Sequence, residues 1–218
     1  MPGLCCALEW RYTLKTAVVY VHGKDGIIQE AEHFKSLFPD YEVIGFDYMA
    51  ETPWEAVPEF STYFARLFPK YDSIILIANS LGAYFSIHSG IGPMIRKAYF
   101  ISPVVDMENL ILNMMAWKGI TEEELRERGV VPNEYGDDLS WEYLAYVRDH
   151  PLEWNVPTEI LYGDQDNLTS LEIMTAFADK HQANLTVMRG GEHWFHTDAQ
   201  MQFMDNWIQS LKTINGDI

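Results

Sequence analysis

The stretch Ile74, Ile75, Leu76, Ile77, Ala78, Asn79, Ser80, Leu81, Gly82, Ala83 limits what this chain can fold into more than any other. Its four leading apolar residues, β-branched apart from Leu76, are too few for a helix core and read as a strand buried on both faces. The strand ends at a serine. Ala78 and Gly82 flank Asn79, Ser80 and Leu81 in the small-x-Ser-x-small spacing of a nucleophile elbow, where a strand turns sharply into a helix and small neighbours let the backbone pack through the bend. Such a turn lifts the Ser80 hydroxyl clear of the sheet. It also aims the Leu81 N–H, near the helix start, at the place where an oxyanion would form. A serine in this place can equally serve only as the cap of the following helix.

Strand and helix signals alternate on either side of this stretch. Residues 8–14 alternate apolar with polar side chains, the period of a half-exposed edge strand. Residues 17–21 are a continuous apolar run that breaks into the turn His22, Gly23, Lys24, Asp25, Gly26. Ile27, Ile28, Ala31, Phe34 and Phe38 recur at helical spacing up to Pro39, and residues 43–46 give a short third strand. Thr52, Pro53 and Glu55 start a helix as a capping box, with Pro58 inside it. The helix after the elbow spans residues 81–88 and is followed by a strand at 98–101.

Residues 103–155 interrupt the alternation. This insertion carries one helix capped by Thr121 and Glu124 and another over residues 141–148. The pattern then resumes with a strand at 158–162, a helix capped by Thr169 and Glu172, a last strand at 185–188, and a final helix bearing Phe203, Met204, Trp207, Ile208 and Leu211. Repeated strand-then-helix order predicts one α/β domain over residues 1–218, a mostly parallel sheet with helices on both faces. The insertion reads as a helical lid. Its Met114, Met115, Trp117, Trp141 and Tyr146 are candidates for substrate contacts, although most such side chains in any insertion simply hold it to the core.

In a parallel sheet the C-terminal strand ends share one edge, where ligands bind. Three of those ends hold Ser80, Asp166 and His193, with Asp164 and His196 close by as competitors. A serine hydroxyl is a poor nucleophile until a base takes its proton, and the imidazole needs a carboxylate to fix its tautomer. The order serine, acid, histidine is the one expected when the nucleophile sits at an elbow. Asp164 directly after Gly163 suits a turn. The glycines before His193, and its nearness to the strand end, favour it over His196.

Composition narrows the alternatives. Of 218 residues 48% are hydrophobic, enough for a substantial core. The net charge of −17, from 32 acidic and 15 basic residues, repels nucleic acid and anionic membrane surfaces. Cys5 and Cys6 are adjacent, with Cα atoms closer than the usual disulfide range, so no disulfide framework is expected. There is no basic start followed by a long apolar stretch and no run of membrane-spanning length, which places the chain in the cytoplasm. No HExxH, no spaced cysteine pair and no phosphate-cradling glycine loop occurs, so neither a metal nor another cofactor is expected. The number of associating copies has no signal in this pattern.

His22-Gly23 after a strand, Ala78-Asn79-Ser80-Leu81-Gly82, Gly163-Asp164-Gln165-Asp166 and Glu192-His193, in that order, give the chain a resemblance to the α/β-hydrolase superfamily, specifically its small serine hydrolases with a helical cap. The resemblance runs from about residue 16 to residue 211. It implies Ser80 as nucleophile, Asp166 as acid, His193 as base, the Leu81 and Lys24 N–H groups as oxyanion hole, and a structural role for His22. Ala78 stands where glycine is commoner, and the early antiparallel strands of larger members are trimmed. A serine nucleophile separates the chain from the dehalogenase and epoxide-opening branches. The expected activity is hydrolysis of a small or medium carboxylic ester with an apolar acyl or aryl group. A thioesterase, amidase or carbon–carbon hydrolase, or a ligand-binding signalling protein of slow turnover, is the alternative.

Overall fold

Alternation along each strand decides which helical layer a side chain serves, and the structure, a computed structural model, describes residues 15–133 and 138–214. The edge strand expected over residues 8–14, and Cys5 and Cys6, lie outside these. Strands β1 (Thr16–Val21), β2 (Glu42–Phe46), β3 (Ser73–Asn79) and β4 (Lys97–Ile101) precede a two-residue pair, β5 (Val130–Val131) and β6 (Leu139–Ser140), and are followed by β7 (Thr158–Gly163) and β8 (Asn184–Met188). β5 and β6 pair antiparallel. The other six form one sheet in the order β2-β1-β3-β4-β7-β8, every neighbouring pair parallel.

The helices are α1 (Ala31–Lys35), α2 (Pro53–Leu67), α3 (Ser80–His88), α4 (Met107–Lys118), α5 (Glu122–Arg128), α6 (Trp141–Asp149), α7 (Leu171–His181) and α8 (Asp198–Ile214). Val18, Tyr20, Ile75, Ile77, Tyr99 and Leu161 point to one face and pack against Phe34 of α1 and Met204, Trp207 and Ile208 of α8. Val19, Val21, Leu76, Ala78, Phe100 and Ile160 point to the other, under α2, α3, α7 and the insertion. Both faces being covered explains why the central strands are continuous apolar runs.

Several details differ from the sequence expectation. The helix expected from Ile27 to Phe38 is divided into a 3-10 turn, Ile28–Glu30, and the short α1. Glu30 accepts the Ile27 N–H at 3.1 Å and the Tyr20 hydroxyl at 2.5 Å, which ties this first turn down onto β1. Helix α7 is capped by Ser170, whose Oγ accepts the Ile173 N–H at 3.3 Å, and not by Thr169. The Thr169 carbonyl is instead held by the Tyr162 hydroxyl at 2.8 Å.

The insertion also contains α4, a helix not expected from the sequence, capped by Asp106 on the Asn109 N–H at 2.9 Å and stopped at Gly119 with φ 67°. Arg148 on α6 binds Glu108 of α4 at 2.6 Å and Glu122 of α5 at 2.7 Å, joining the three insertion helices. At the N-terminal ends of β4 and β7 lies a buried ion pair, Lys97 to Glu159 at 3.3 Å.

Candidate active site

The elbow at Ser80 is built by close approach. Ser80 has φ 49°, a left-handed conformation that costs a non-glycine residue on the order of 1–3 kcal/mol and persists only where its surroundings hold it. The Val104 N–H holds it from one side by donating to the Ser80 carbonyl at 3.1 Å. From the other side the end of β1 crosses so near that a Cβ on Gly82 would lie 2.2 Å from the His22 carbonyl oxygen. Glycine is therefore required there on steric grounds, as the sequence pattern implied.

The loops after β3, β7 and β8 bring three of the expected residues together. Ser80 Oγ is 2.8 Å from His193 Nε2, and His193 Nδ1 is 2.7 Å from Asp166 Oδ2. The Asp166 carboxylate has no exposed side-chain surface and its other oxygen accepts the Leu168 and Thr169 N–H groups at 2.8 and 3.1 Å. A carboxylate fixed in this way cannot rotate away from the imidazole. The Tyr162 hydroxyl nearby is pushed up in pKa by burial and then by the charges of Asp166 and Asp164. It therefore stays protonated as the donor to Thr169.

The two competitors lie elsewhere. Asp164 accepts the Gly190 N–H at 2.7 Å and so fastens the β7 loop to the β8 loop. His196 points back to the Trp194 carbonyl at 2.7 Å and stacks on the exposed Trp194 ring. His22 is buried, holds the Gly23 carbonyl at 2.8 Å and stacks on Tyr48 at 4.4 Å, while the Tyr48 hydroxyl donates to the His22 carbonyl at 3.1 Å. It orders the turn that carries Lys24. Leu81 lies in the first turn of α3, where backbone N–H groups have no acceptor within the helix.

Two clefts meet at Ser80. One, about 110 Å³, is the more enclosed and mostly apolar, lined by Val104, Leu110, Ile111, Met114, Leu139 and Leu168 together with Lys24, Leu81, Glu51 and Asp138. The other, about 390 Å³, is more open and polar, bounded by Asp25, Glu30, Asn79, His193 and Trp194. Of the five insertion side chains expected to contact substrate, Met114 lines the enclosed cleft. The other four lie outside both cleft linings. Met115 is buried in the core, Trp117 is 65% exposed, Trp141 packs on the main core, and Tyr146 binds His88. The sequence reading passed over Met107, Leu110 and Ile111, whose i, i+3, i+4, i+7 spacing with Met114 marks one face of α4.

Among the described residues no group of His, Cys, Asp or Glu side chains converges to hold a metal ion. No described helix is long and apolar enough to cross a membrane.

The parallel sheet, the strand-to-helix elbow and the flanking helices define the α/β-hydrolase fold. No family model and no curated protein matches the chain, but solved structures of this fold do. Alpha/beta hydrolase domain-containing protein 10 from mouse superposes with a TM-score of 0.71 at 15% identity, over 89% of this chain and 88% of that one. Est1E from Butyrivibrio proteoclasticus gives 0.71 at 15% identity, over 94% and 89%. The esterase Pf2001 of Pyrococcus furiosus gives 0.60 at 16% identity, over 92% and 81%.

Proposed function

We propose that this protein is a serine hydrolase that cleaves carboxylic esters through an acyl-enzyme on Ser80. The relay of Ser80, His193 and Asp166 at 2.8 and 2.7 Å carries the reading. Similarity of fold to solved esterases, one of them Est1E, also crystallised with ferulic acid bound, agrees with it.

His193 Nε2 takes the Ser80 proton as Oγ attacks the ester carbonyl, and Asp166 stabilises the imidazolium that forms. The Leu81 and Lys24 N–H groups receive the oxyanion. As the carbonyl re-forms, the bond to the alcohol oxygen breaks and His193 gives its proton to the leaving alcohol. Water, deprotonated by His193, then attacks the acyl-enzyme and releases the acid with Ser80 restored. The insertion acts as a lid over the acyl group, α4 supplying its wall.

The test is labelling by a fluorophosphonate probe, with the modified peptide mapped by mass spectrometry. Labelling on Ser80 that is absent in Ser80→Ala supports the reading. Folded wild-type protein that takes no label, or takes it on another residue, sinks it.

A further inference from the structure

We propose that the substrate is an ester with a short aliphatic acyl group, of about four carbons or fewer, on an alcohol whose bulk the site does not restrict. The inference rests on the assignment of Ser80 and His193 above and goes on to divide the two clefts between the halves of the ester.

His193 decides which half goes where. It must deliver a proton to the leaving alcohol oxygen, so that oxygen lies on the side of the Ser80 acyl carbon that faces the imidazole. The open cleft of about 390 Å³ contains His193 and Trp194. The enclosed cleft contains Ser80, Leu81 and Lys24 but not His193. Ser80 and Lys24 border both clefts, so the imidazole makes the division: the alcohol belongs to the open cleft, and the acyl chain to the enclosed one, which Leu81 lines.

Size then sets the limit. A dry cavity of about 150 Å³ takes one benzene molecule. The enclosed cleft, at about 110 Å³, is smaller than that, and Val104, Leu110, Met114 and Leu139 give it apolar walls. A propyl chain fits in it. An aromatic ring or an octanoyl chain does not, which narrows the apolar or aryl group expected from the insertion's composition to an aliphatic one. The other cleft is more than three times as large, and Trp194 at its border is 68% exposed.

Two ester series with the full chain test this. In p-nitrophenyl acetate, butyrate, hexanoate, octanoate and benzoate only the acyl group varies. In phenyl and 2-naphthyl butyrate only the bulk of the alcohol varies, at similar leaving-group reactivity. The expected result is a fall in kcat/KM of about tenfold or more from butyrate to octanoate and from butyrate to benzoate, with the two aryl butyrates comparable. Met114→Ala, or Leu110→Ala if that variant folds poorly, should raise the octanoate-to-butyrate ratio about tenfold. Octanoate or benzoate processed as well as butyrate by the wild type, or bulk penalised on the alcohol side, overturns the inference. Ser80 labelled by a fluorophosphonate without turnover of any ester overturns it as well. If Ser80 neither takes label nor turns over an ester, the hydrolase reading itself fails.

Discussion

Asp164 Oδ1 accepts the Gly190 N–H at 2.7 Å, so the loop that ends in Asp166 is fastened to the loop that ends in His193. The Gln165 N–H on the Gly191 carbonyl at 2.8 Å is a second fastening. Two aspartates two positions apart thus do different work: Asp164 holds backbone and Asp166 holds the ring.

Their variants should separate these roles. Asp166→Asn keeps the shape but favours the wrong imidazole tautomer, and should lower kcat by about 10⁴. Asp164→Ala should lower stability by about 1 kcal/mol, with a far smaller loss of kcat. Ester kinetics and urea melts on both proteins check this, and equal losses of kcat would contradict it.

Gly163→Ala should damage the site without touching a reacting group. A Cβ there would lie 2.3 Å from the Gly191 carbonyl oxygen, a backbone atom that cannot step aside alone. The displaced loop carries His193, and a misplacement of about 1 Å can cost about 10²-fold in rate. The expected outcome is a kcat/KM lowered by about that factor together with a Tm below wild type. Wild-type kinetics in Gly163→Ala would mean that the two loops are not rigidly packed.

Lys97 and Glu159 form a pair whose side chains are 10% and 8% exposed. Removing one partner leaves a buried charge, so Lys97→Met should destabilise by about 3–5 kcal/mol. Adding Glu159→Leu should recover most of that loss. Denaturant melts of the single and double variants measure it, and a double variant no more stable than the single one would refute it.

His88 couples stability to pH. Burial, and then the neighbouring His150, hold its pKa below the ordinary 6.5. Tyr84 and His150 face its ring and the Tyr146 hydroxyl meets its Nε2 at 3.1 Å. Between the folded value and 6.5 the unfolded chain binds more protons, so stability rises with pH across that window. The contribution is complete above about pH 6.5 and is lost as pH falls through the folded value. The urea midpoint should drop between about pH 7.5 and 5.5, and His88→Phe should flatten that drop. An unchanged slope in the variant would assign it to other groups.

The central strands were legible because a strand covered on both faces must be apolar throughout, as residues 74–78 are. Ser80, Asp166 and His193 were legible for a related reason: each follows a strand end, and parallel strands deliver their ends to one edge. The wall of the enclosed cleft was not. Trp117 is the largest side chain of its segment and faces solvent, whereas Leu110 and Ile111 face Ser80, since the helix face that packs inward is set by the tertiary contacts of α4. Asp164, directly after Gly163, carries only a turn signal in the sequence. Its partner Gly190 is 26 positions away, a pairing that no local pattern records.

The sequence distance inside the relay also bears on how the protein is made. Ser80 and His193 are 113 residues apart, and their strands, β3 and β8, are separated in the sheet by β4 and β7. β8 pairs only with β7, and β7 with β4, so the relay is completed only after β4, β7 and β8 have joined β3 in turn, non-local contacts that form slowly. Nascent or truncated chains that stop short of β8 can bury much of the core yet carry no relay. Recovered activity during refolding will therefore trail the return of helical signal, reporting when the last strand docks.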